Sequence, residues 1–435
     1  GSSGSANGTG TAATFKYPRG ITTDGTNLYV ADHSNHTIRK IVISTGAVTT
    51  LAGSGTAGTT DTTGTAAKFH YPRGITTDGT NLYVVDTNNH TIRKIVISTG
   101  AVTTFAGSGS SGSTDATGTA AKFYYPRGII TDGTNLYVAD TSNHRIRKIV
   151  LSTGVVTTLA GSSSGFADGV GTSAKFNGLY GLSIDGTNLY VADYYNHRIR
   201  KIVISTGTVT TLAGSGSYGS TDGTGTAAKF KYPMGITNVG NYLYVTDRYN
   251  HRIRKIVKST GVVTTLAGSS AGFADGTGTS ANFHYPWGIT NDGNNLYVGD
   301  GHNHRIRKIV ISTGVVTTFA GSGSASSGDG VGTEASFTYP YEVGIDENNV
   351  YVADYNNQRI RKIALRGTVT ADVKLHNLDD DTDAIVNLAS SDTGEATVSP
   401  ATLTFTGSNW NNDRTVTVTG INDSDRDMHQ PYRIS

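Results

Sequence analysis

Short stretches in which apolar and polar residues alternate recur along most of the chain. G-I-I-T-D-G at 128–133 is followed by N-L-Y-V-A-D at 135–140, R-I-R-K-I-V-L at 145–151 and V-V-T-T-L-A-G at 155–161. They are rich in Val, Ile, Tyr and Thr, and Asp-Gly or Thr-Gly pairs separate them, as in strands joined by tight turns. Because no apolar helical period runs for more than a turn, the pattern predicts an all-β chain.

The same group of four strands is repeated seven times. The string I-R-K-I marks each repeat and recurs at intervals of 53 or 54 residues, starting at Ile38, Ile92, Ile146, Ile199, Ile253, Ile306 and Ile360. Such a period is the signature of stacked supersecondary units. Four antiparallel strands per repeat predict a seven-bladed β-propeller of four-stranded blades over residues 1–367. A linear β-solenoid is the alternative, although its repeats are usually shorter.

The repeats carry a longer shared motif. F-x-Y-P-R-G-I-x-x-D-G-T-N-L-Y-V-A-D-x-x-N-H-x-I recurs over residues 15–366 and resembles the NHL repeat. The resemblance implies a propeller, usually of six blades. This chain has seven copies, each lengthened by a glycine-rich insert before Phe-x-Tyr-Pro. Repeat four departs from the motif with F-N-G-L-Y-G-L, and repeat seven has F-T-Y-P-Y-E-V-G-I and Gln358 in place of His.

The seventh repeat lacks the usual last strand. Six repeats end in V-T-T-[LF]-A-G, but the seventh continues as K-I-A-L-R-G-T-V-T-A-D-V-K-L. Two sources for its fourth strand stay open, residues 369–373 and a segment upstream of Gly1. The first fifteen residues resemble an expression-tag scar, yet they align with residues 161–176. We interpret them as the end of an interblade loop and expect the polypeptide to continue upstream.

A group of polar residues at the turn between the second and third strands could be a metal site, a catalytic cluster or a structural joint. In repeat three it comprises Asp140, Asn143, His144 and Arg147. Zinc needs its ligands within about 2.0–2.3 Å of one centre. The copied histidines lie on different blades and cannot converge, and a catalytic set is ordinarily single. We therefore predict a structural joint in which Arg147 pairs with Asp140.

Binding is expected where the repeats differ from one another. The position after Tyr-Pro enters the innermost strand beside the central channel, and around the ring it is Arg19, Arg73, Arg127, Tyr180, Met234, Trp287 and Tyr341. The variable turn before Asn-His adds the candidates Tyr194, Tyr195, Arg248 and Tyr249. Arginines on one arc and aromatic rings on another suit a glycan or protein with anionic groups and flat apolar faces. The alternative is that these side chains simply plug the channel.

Signals for other functions are weak. Some NHL-like propellers are lyases or hydrolases, but the first strands here contain no unique pair of carboxylates, and no nucleophile elbow, phosphate loop or zinc motif occurs. Glu342 is the one acidic residue that breaks the pattern, because it occupies the position where the other repeats have glycine. We expect no enzyme. Some NHL propellers bind RNA, but residues 1–367 carry 31 basic and 22 acidic residues without a basic run, so nucleic acid is not the expected partner. No apolar run is long enough to span a membrane.

From residue 368 the period stops, and 368–435 carries eleven acids against four basic residues. S-P-A-x-L-T-F-T-x-x-N-W and V-T-V-T-G-x-x-D resemble bacterial immunoglobulin-like surface modules of the Calx-β type. We therefore predict a second, β-sandwich-like domain over 368–435, incomplete because such a sandwich needs about seven strands. Calcium is the one cofactor considered, and solvated turns are the alternative for its candidate ligands Asp379, Asp381, Asp383, Asp423, Asp425 and Asp427.

The amino-acid composition bears on the cellular location and on the class of function. The chain has 56 glycines, many Thr, Ser and Asn residues, and no cysteine, which excludes disulfides and thiolate metal sites. This composition is frequent among secreted or surface-displayed bacterial proteins. The first hypothesis is a non-catalytic extracellular binding and scaffold protein that contacts a glycan or protein. The alternative is a structural subunit that self-associates in an extracellular assembly or filament.

Overall fold

The computed structural model describes residues 2–365, 368–373, 384–388, 396–406 and 414–420. The chain divides into two compact units, residues 1–346 with 351–362 and residues 347–350 with 363–435. No helix in the described part of the chain is long and apolar enough to cross a membrane.

The seven repeats form the seven blades of an all-β propeller, and strand order within each blade follows the sequence. The first strands are Pro18–Thr23, Pro72–Thr77, Ile129–Thr131, Leu179–Ile184, Pro233–Val239, Pro286–Asn291 and Pro340–Ile345. The second strands are Asn27–Asp32, Asn81–Asp86, Asn135–Asp140, Asn188–Asp193, Tyr242–Asp247, Asn295–Asp300 and Asn349–Asp354. The third strands are Thr37–Val42, Thr91–Val96, Arg145–Val150, Arg198–Val203, Arg252–Val257, Arg305–Val310 and Arg359–Ala364. The fourth strands, which blades one to six have, are Ala47–Ala52, Val102–Ala106, Val155–Ala160, Thr208–Ala213, Val262–Ala267 and Val315–Ala320.

The glycine-rich inserts add elements that the sequence did not predict. In five blades a two-residue strand of the insert pairs with the fourth strand, so those sheets have five strands rather than four. These short strands are Gly8–Thr9, Ala116–Thr117, Gly169–Val170, Gly223–Thr224 and Gly276–Thr277. Each insert then forms a 3-10 turn, at Gly10–Ala12, Gly64–Ala66, Gly118–Ala120, Gly171–Ser173, Gly225–Ala227, Gly278–Ser280 and Gly332–Glu334. The N-terminal residues adopt this same insert structure, in agreement with their alignment to residues 161–176.

A second set of 3-10 turns joins the second strand to the third. They are His33–Asn35, Thr87–Asn89, Thr141–Asn143, Tyr194–Asn196, Arg248–Asn250, Gly301–Asn303 and Tyr355–Asn357. These turns place the variable pair of residues before Asn-His beside the first strands.

Burial on both faces explains the sequence of the middle strands. Leu136, Tyr137, Val138 and Ala139 are all fully buried, because one face of the sheet packs against the preceding blade and the other against the next. Tyr137 packs in the core shared with blade four, whereas Leu136 and Val138 pack in the core shared with blade two. Apolar residues therefore fill the second strand without the alternation that a half-exposed sheet shows.

The copied polar group is a structural joint, as predicted. Arg147 Nη1 donates to Asp140 Oδ2 at 3.0 Å, and Asn143 Nδ2 donates to the same carboxylate oxygen at 2.8 Å. Asp140 Oδ1 accepts the backbone N–H of Tyr124, and the Arg147 guanidinium lies 4.9 Å from the Phe123 ring centre. The matching Asp–Arg pairs of all seven blades are 2.8–3.1 Å long. Removing one member of such a buried pair leaves the other uncompensated.

The aspartates of the glycine-rich inserts contact the buried arginines of the joints. Asp115 Oδ1 accepts Arg147 Nη2 at 2.6 Å, and its other oxygen accepts the backbone N–H of Thr158. The same contact to the buried arginine occurs in blades two to seven, and Asn7 takes this place in blade one. The insert is thereby fastened to the third and fourth strands of its own blade.

The copied histidines join neighbouring blades. Nδ1 of His36 accepts the backbone N–H of Tyr71 in the next blade at 3.1 Å, and His197 does the same for Tyr232. Each of these tyrosines has a positive φ, near 55°, which is rare outside glycine. In repeat four Gly178 stands at the tyrosine position with φ 78°.

Blade seven has three strands among the described residues, in the order first, second, third. Residues 369–373, one of the two sources left open for its fourth strand, lie in Thr368–Val373, which pairs antiparallel with Arg414–Gly420 in a separate sheet.

In the second unit, Ala396–Ser399 also pairs with Arg414–Gly420, and Ala384–Asn387 pairs with Thr402–Phe405. Leu403, Phe405 and Val416 form a small buried cluster with Leu388.

Candidate functional site

Seven side chains that differ between repeats surround one opening of the central channel. All seven line both a channel cavity of about 320 Å³ and a wider cavity of about 480 Å³, which we call the mouth. They are Arg19, Arg73, Arg127, Tyr180, Met234, Trp287 and Tyr341. We call these the ring residues. The structure thus brings together the positions that the sequence singled out.

The backbone of the first strands fixes this ring. Glycine follows each ring residue in repeats one to six, and a Cβ at Gly181 would come within 2.2 Å of the carbonyl oxygen of Met234 in the next blade. Only glycine allows the first strands to approach so closely. Neighbouring ring residues are therefore held next to one another around the channel.

Three arginines of neighbouring blades form a cationic arc. Arg19 Nη2 donates to the Tyr355 hydroxyl at 3.0 Å, and Arg127 Nη1 donates to the Tyr180 hydroxyl at 3.2 Å. Neither arginine forms an ion pair with a carboxylate within the described residues, and the same holds for Arg73 between them. Burial and the two flanking guanidinium groups lower the pKa of Arg73 to about 10, so it stays charged at neutral pH.

Aromatic rings form the opposite arc, over blades four to seven. Consecutive ring centres 4.7–4.9 Å apart connect Tyr180, Tyr194, Tyr232, Tyr249, Tyr285, His302 and Tyr339. Closer to the channel, Trp287 lies 4.4 Å from Tyr341. The Arg248 guanidinium bridges the two layers, 3.8 Å from the Trp287 ring centre and 5.0 Å from that of Tyr249.

The four candidates from the variable turns differ in position. Tyr194 and Arg248 line the mouth, and Arg248 Nη1 donates to the Tyr194 hydroxyl at 3.1 Å. Tyr195 is 51% exposed on the outer rim, and Tyr249 is half-buried in the aromatic arc. These two extend the surface rather than line the cavity.

Four lining residues were not among the candidates. Tyr339, His302, Tyr355 and Asn356 also line the mouth. His302, Tyr355 and Asn356 occupy the same variable turn as the chosen candidates, so that signal was available in the sequence. Tyr339 belongs to the copied Tyr-Pro motif, and its unusual positive φ of 54° places its ring on the rim.

Glu342 is the acid of the channel wall. It lines the channel cavity below the ring, and burial raises its pKa to about 7, while Arg19 opposes the shift. Burial therefore favours the protonated form of this carboxyl. Burial and the charges of Arg19 and Arg73 also lower the pKa of nearby His33 to about 3.

Two groups of residues are candidate metal ligands in the sequence, the copied polar group of the joints and six aspartates beyond residue 368. Asp379, Asp381, Asp383, Asp423, Asp425 and Asp427, the candidate calcium ligands, lie outside the described residues. Within the described ranges, no three His, Asp or Glu side chains are grouped so that they could hold a metal ion.

Comparison with known proteins agrees with this architecture. Residues 283–309 match the NHL repeat family. The chain is 30% identical over 350 residues to NHL repeat-containing protein 2 of Gallus gallus, covering 71% of this chain and 48% of that protein. It thus spans about half the length of the curated relatives it matches.

Two solved structures share the fold at low identity. Virginiamycin B lyase from Staphylococcus aureus is 15% identical with a TM-score of 0.52, covering 80% of this chain and 95% of that one. Kuenenia stuttgartiensis hydrazine synthase is 16% identical with a TM-score of 0.52, covering 80% and 96%. At this identity the likeness concerns the fold alone.

Proposed function

We propose that this seven-bladed propeller of NHL repeats is a binding protein whose mouth takes an acidic glycan. The observation that carries the proposal is the arc of Arg19, Arg73 and Arg127, three adjacent cations without a carboxylate partner among the described residues. An anionic ligand group would supply that missing charge through forked guanidinium contacts.

The aromatic arc supports a glycan as the ligand. Its rings form a continuous surface from Tyr180 to Tyr339, and rim residues such as Tyr195 stay accessible. Flat apolar faces of sugar rings stack on such side chains, while their carboxylate or sulfate groups reach the arginines. The mouth volume of about 480 Å³ is within the range of small-molecule sites.

The proposal is for binding rather than catalysis. Among the described residues that line the two cavities, the acids amount to Glu342 alone, so no pair of carboxylates is available for acid–base work. An extracellular or cell-surface location is part of the proposal, and the cysteine-free composition rich in Gly, Thr and Ser supports it.

A titration with polygalacturonate tests the proposal. We expect saturable binding that weakens with added salt, and binding at least tenfold weaker to the fully methyl-esterified polymer, which keeps the sugar rings and loses the charge. Arg73→Met should weaken binding of the acidic polymer by tenfold or more, because a charge-assisted hydrogen bond is removed. Its melting temperature should not fall.

Lys148→Met on a third strand is the charge-matched control and should bind like the unchanged protein. Equal binding of the acidic and esterified polymers, or an Arg73→Met variant that binds normally, would contradict the proposal. Tighter binding of a poly-glutamate peptide than of polygalacturonate would instead favour an acidic protein segment as the ligand.

A further inference from the structure

A fourth arginine lines the mouth across from the arginine arc. Arg248 lies on the variable turn of blade five, whereas the arc belongs to blades one to three. Within the described part of the chain, Arg248 forms no ion pair with a carboxylate. The mouth therefore carries positive charge on two separate sides.

Aromatic side chains hold the Arg248 guanidinium in one position. Its central carbon lies 3.8 Å from the Trp287 ring centre, and Nη1 donates to the Tyr194 hydroxyl at 3.1 Å. The ring centres of Tyr249 and Tyr285 lie at 5.0 and 5.6 Å from the same carbon. Stacking and the hydrogen bond restrict a long side chain, so the cation is preorganised for an anionic group.

Two residues that break the repeat pattern place Trp287 against Arg248. A Cβ at Gly301 would lie 2.5 Å from Cδ1 of Trp287, so glycine leaves the space that the indole fills. Larger side chains stand at this turn position in the other blades, at His33, Thr87, Thr141, Tyr194, Arg248 and Tyr355. Thr246, which replaces an alanine, valine or glycine of the other repeats, donates through Oγ1 to the Trp287 carbonyl oxygen at 2.9 Å.

One pair of aromatic rings connects Arg248 to blade three. The ring centres of Tyr180 and Tyr194 lie 4.7 Å apart, and both rings line the mouth. The Tyr180 hydroxyl accepts a hydrogen bond from Arg127, and the Tyr194 hydroxyl accepts one from Arg248. Two flat apolar faces thus lie between one end of the arginine arc and the fourth arginine.

A second pair of rings connects Arg248 to blade one. The ring centres of Trp287 and Tyr341 lie 4.4 Å apart, and both rings line the mouth. The guanidinium of Arg248 stacks on Trp287, and that of Arg19 lies 5.2 Å from the Tyr341 ring centre. Around the mouth, cationic groups therefore alternate with pairs of aromatic rings.

We propose that the mouth selects an oligosaccharide with at least two anionic groups, one bound by the arginine arc and the other by Arg248. This selectivity rests on the proposed binding of an acidic glycan, to which it adds the number and placement of the charges. The sugar between the two groups lies over one of the aromatic pairs. Both anionic groups belong to one molecule, so the second contact forms at a high effective concentration. A glycan with a single charge makes only one of the two contacts.

Trigalacturonate and its dimethyl ester are the probes, because both have the same three sugar rings and the ester keeps one free carboxylate. Isothermal titration calorimetry with the 435-residue protein measures their affinities. We expect trigalacturonate to bind at least about tenfold more tightly than the ester. In Arg248→Met this preference should fall to about threefold or less, the statistical advantage of three equivalent carboxylates over one.

Lys255→Met is the matched control. Lys255 lies on the third strand of the same blade and lines neither cavity, so its replacement removes one positive charge away from the mouth. This variant should keep the preference for trigalacturonate. An undiminished preference in Arg248→Met would overturn the proposal, because the further carboxylates would then bind within the arginine arc. A preference lost equally in Lys255→Met would also overturn it, as a general effect of charge.

Tryptophan fluorescence tests the same contact with Arg248 in place. The chain has two tryptophans, so Trp410→Phe leaves Trp287 as the single emitting indole. Saturating trigalacturonate should change this emission at least about threefold more than the saturating ester does, because a second carboxylate reaches the guanidinium stacked on the ring. Equal changes with the two ligands would contradict the proposal.

The requirement for two charges and the proposed function fail in different ways. If neither ligand bound, binding of an acidic glycan would itself be contradicted. If both ligands bound equally well and Arg73→Met weakened both, the proposed function would stand, and the role of Arg248 would be overturned.

Discussion

Arginines occupy two contrasting environments in this propeller. Arg147 and its six copies are buried on the third strands, each paired with the aspartate that ends the second strand. Arg19, Arg73 and Arg127 face the channel, and among the described residues no carboxylate pairs with them. The copied arginines are neutralised within the chain, whereas the arc at the mouth has no carboxylate partner among the described residues, as the proposed binding of an acidic glycan requires. Repetition thus marks residues that hold the blades, and the proposed function assigns ligand binding to residues that vary.

The largest expected effect comes from exchanging one arginine of each kind for methionine. Arg147→Met leaves the buried Asp140 without its cation, so we expect the free energy of unfolding to fall by about 3–5 kcal/mol. Arg73→Met removes a cation that repels Arg19 and Arg127, so stability should stay within about 0.5 kcal/mol or rise. Urea unfolding, monitored by circular dichroism, measures the stability of both variants. Equal losses would remove the distinction between the two environments.

Acid pH should act on the blade joints through their histidines. Burial, together with the charges of the nearby His284, Lys231 and His302, lowers the pKa of His251 to about 4. The unfolded chain protonates this imidazole near pH 6.5, before the folded protein does, so the contribution to stability is full above pH 6.5 and is lost as pH falls towards 4.

His251→Gln isolates this effect. Glutamine is the natural residue at the same position in blade seven, where Gln358 Oε1 accepts the backbone N–H of Tyr17 and cannot titrate. Because His251 is half exposed, we expect the variant to lose roughly 1 kcal/mol less stability than the unchanged protein between pH 7 and pH 4.5. Melting curves of both proteins at the two pH values measure this difference. The buried aspartates contribute equally to the pH dependence of both proteins, so their contribution cancels. A variant with an unchanged pH dependence would show that this imidazole is not the titrating group.

Much of the fold follows from repetition in the sequence. Seven copies of the alternating strands identify the blades. The ring residues can also be predicted from the sequence, because the residue after Tyr-Pro enters the innermost strand in every blade. Even the contact between Asp115 and Arg147 left a signal, because the insert aspartates of repeats two to seven all precede the arginine by 32 positions.

Other features depend on three-dimensional context. A positive φ at Tyr339 and its copies cannot be inferred from residue type, since tyrosine rarely adopts it. The continuous aromatic arc joins side chains of different blades, so the pattern within one repeat does not reveal it. The position of Thr368–Val373 was open for the same reason, because several partners could have paired with that strand.

The smallest expected effect tests whether a copied residue loses its importance where its partner is missing. His197 Nδ1 accepts the backbone N–H of Tyr232 at 3.1 Å, whereas Nδ1 of His144 has no hydrogen-bond partner among the described residues, and Gly178 stands at the tyrosine position of repeat four. His197→Ala should therefore cost at least about 1 kcal/mol more in the free energy of unfolding than His144→Ala, because it removes this hydrogen bond and the ring contacts of His197 with Tyr218 and Tyr232. Paired urea titrations measure the difference. If both variants lost the same stability, neither this bond nor the ring contacts of His197 would contribute measurably to folding.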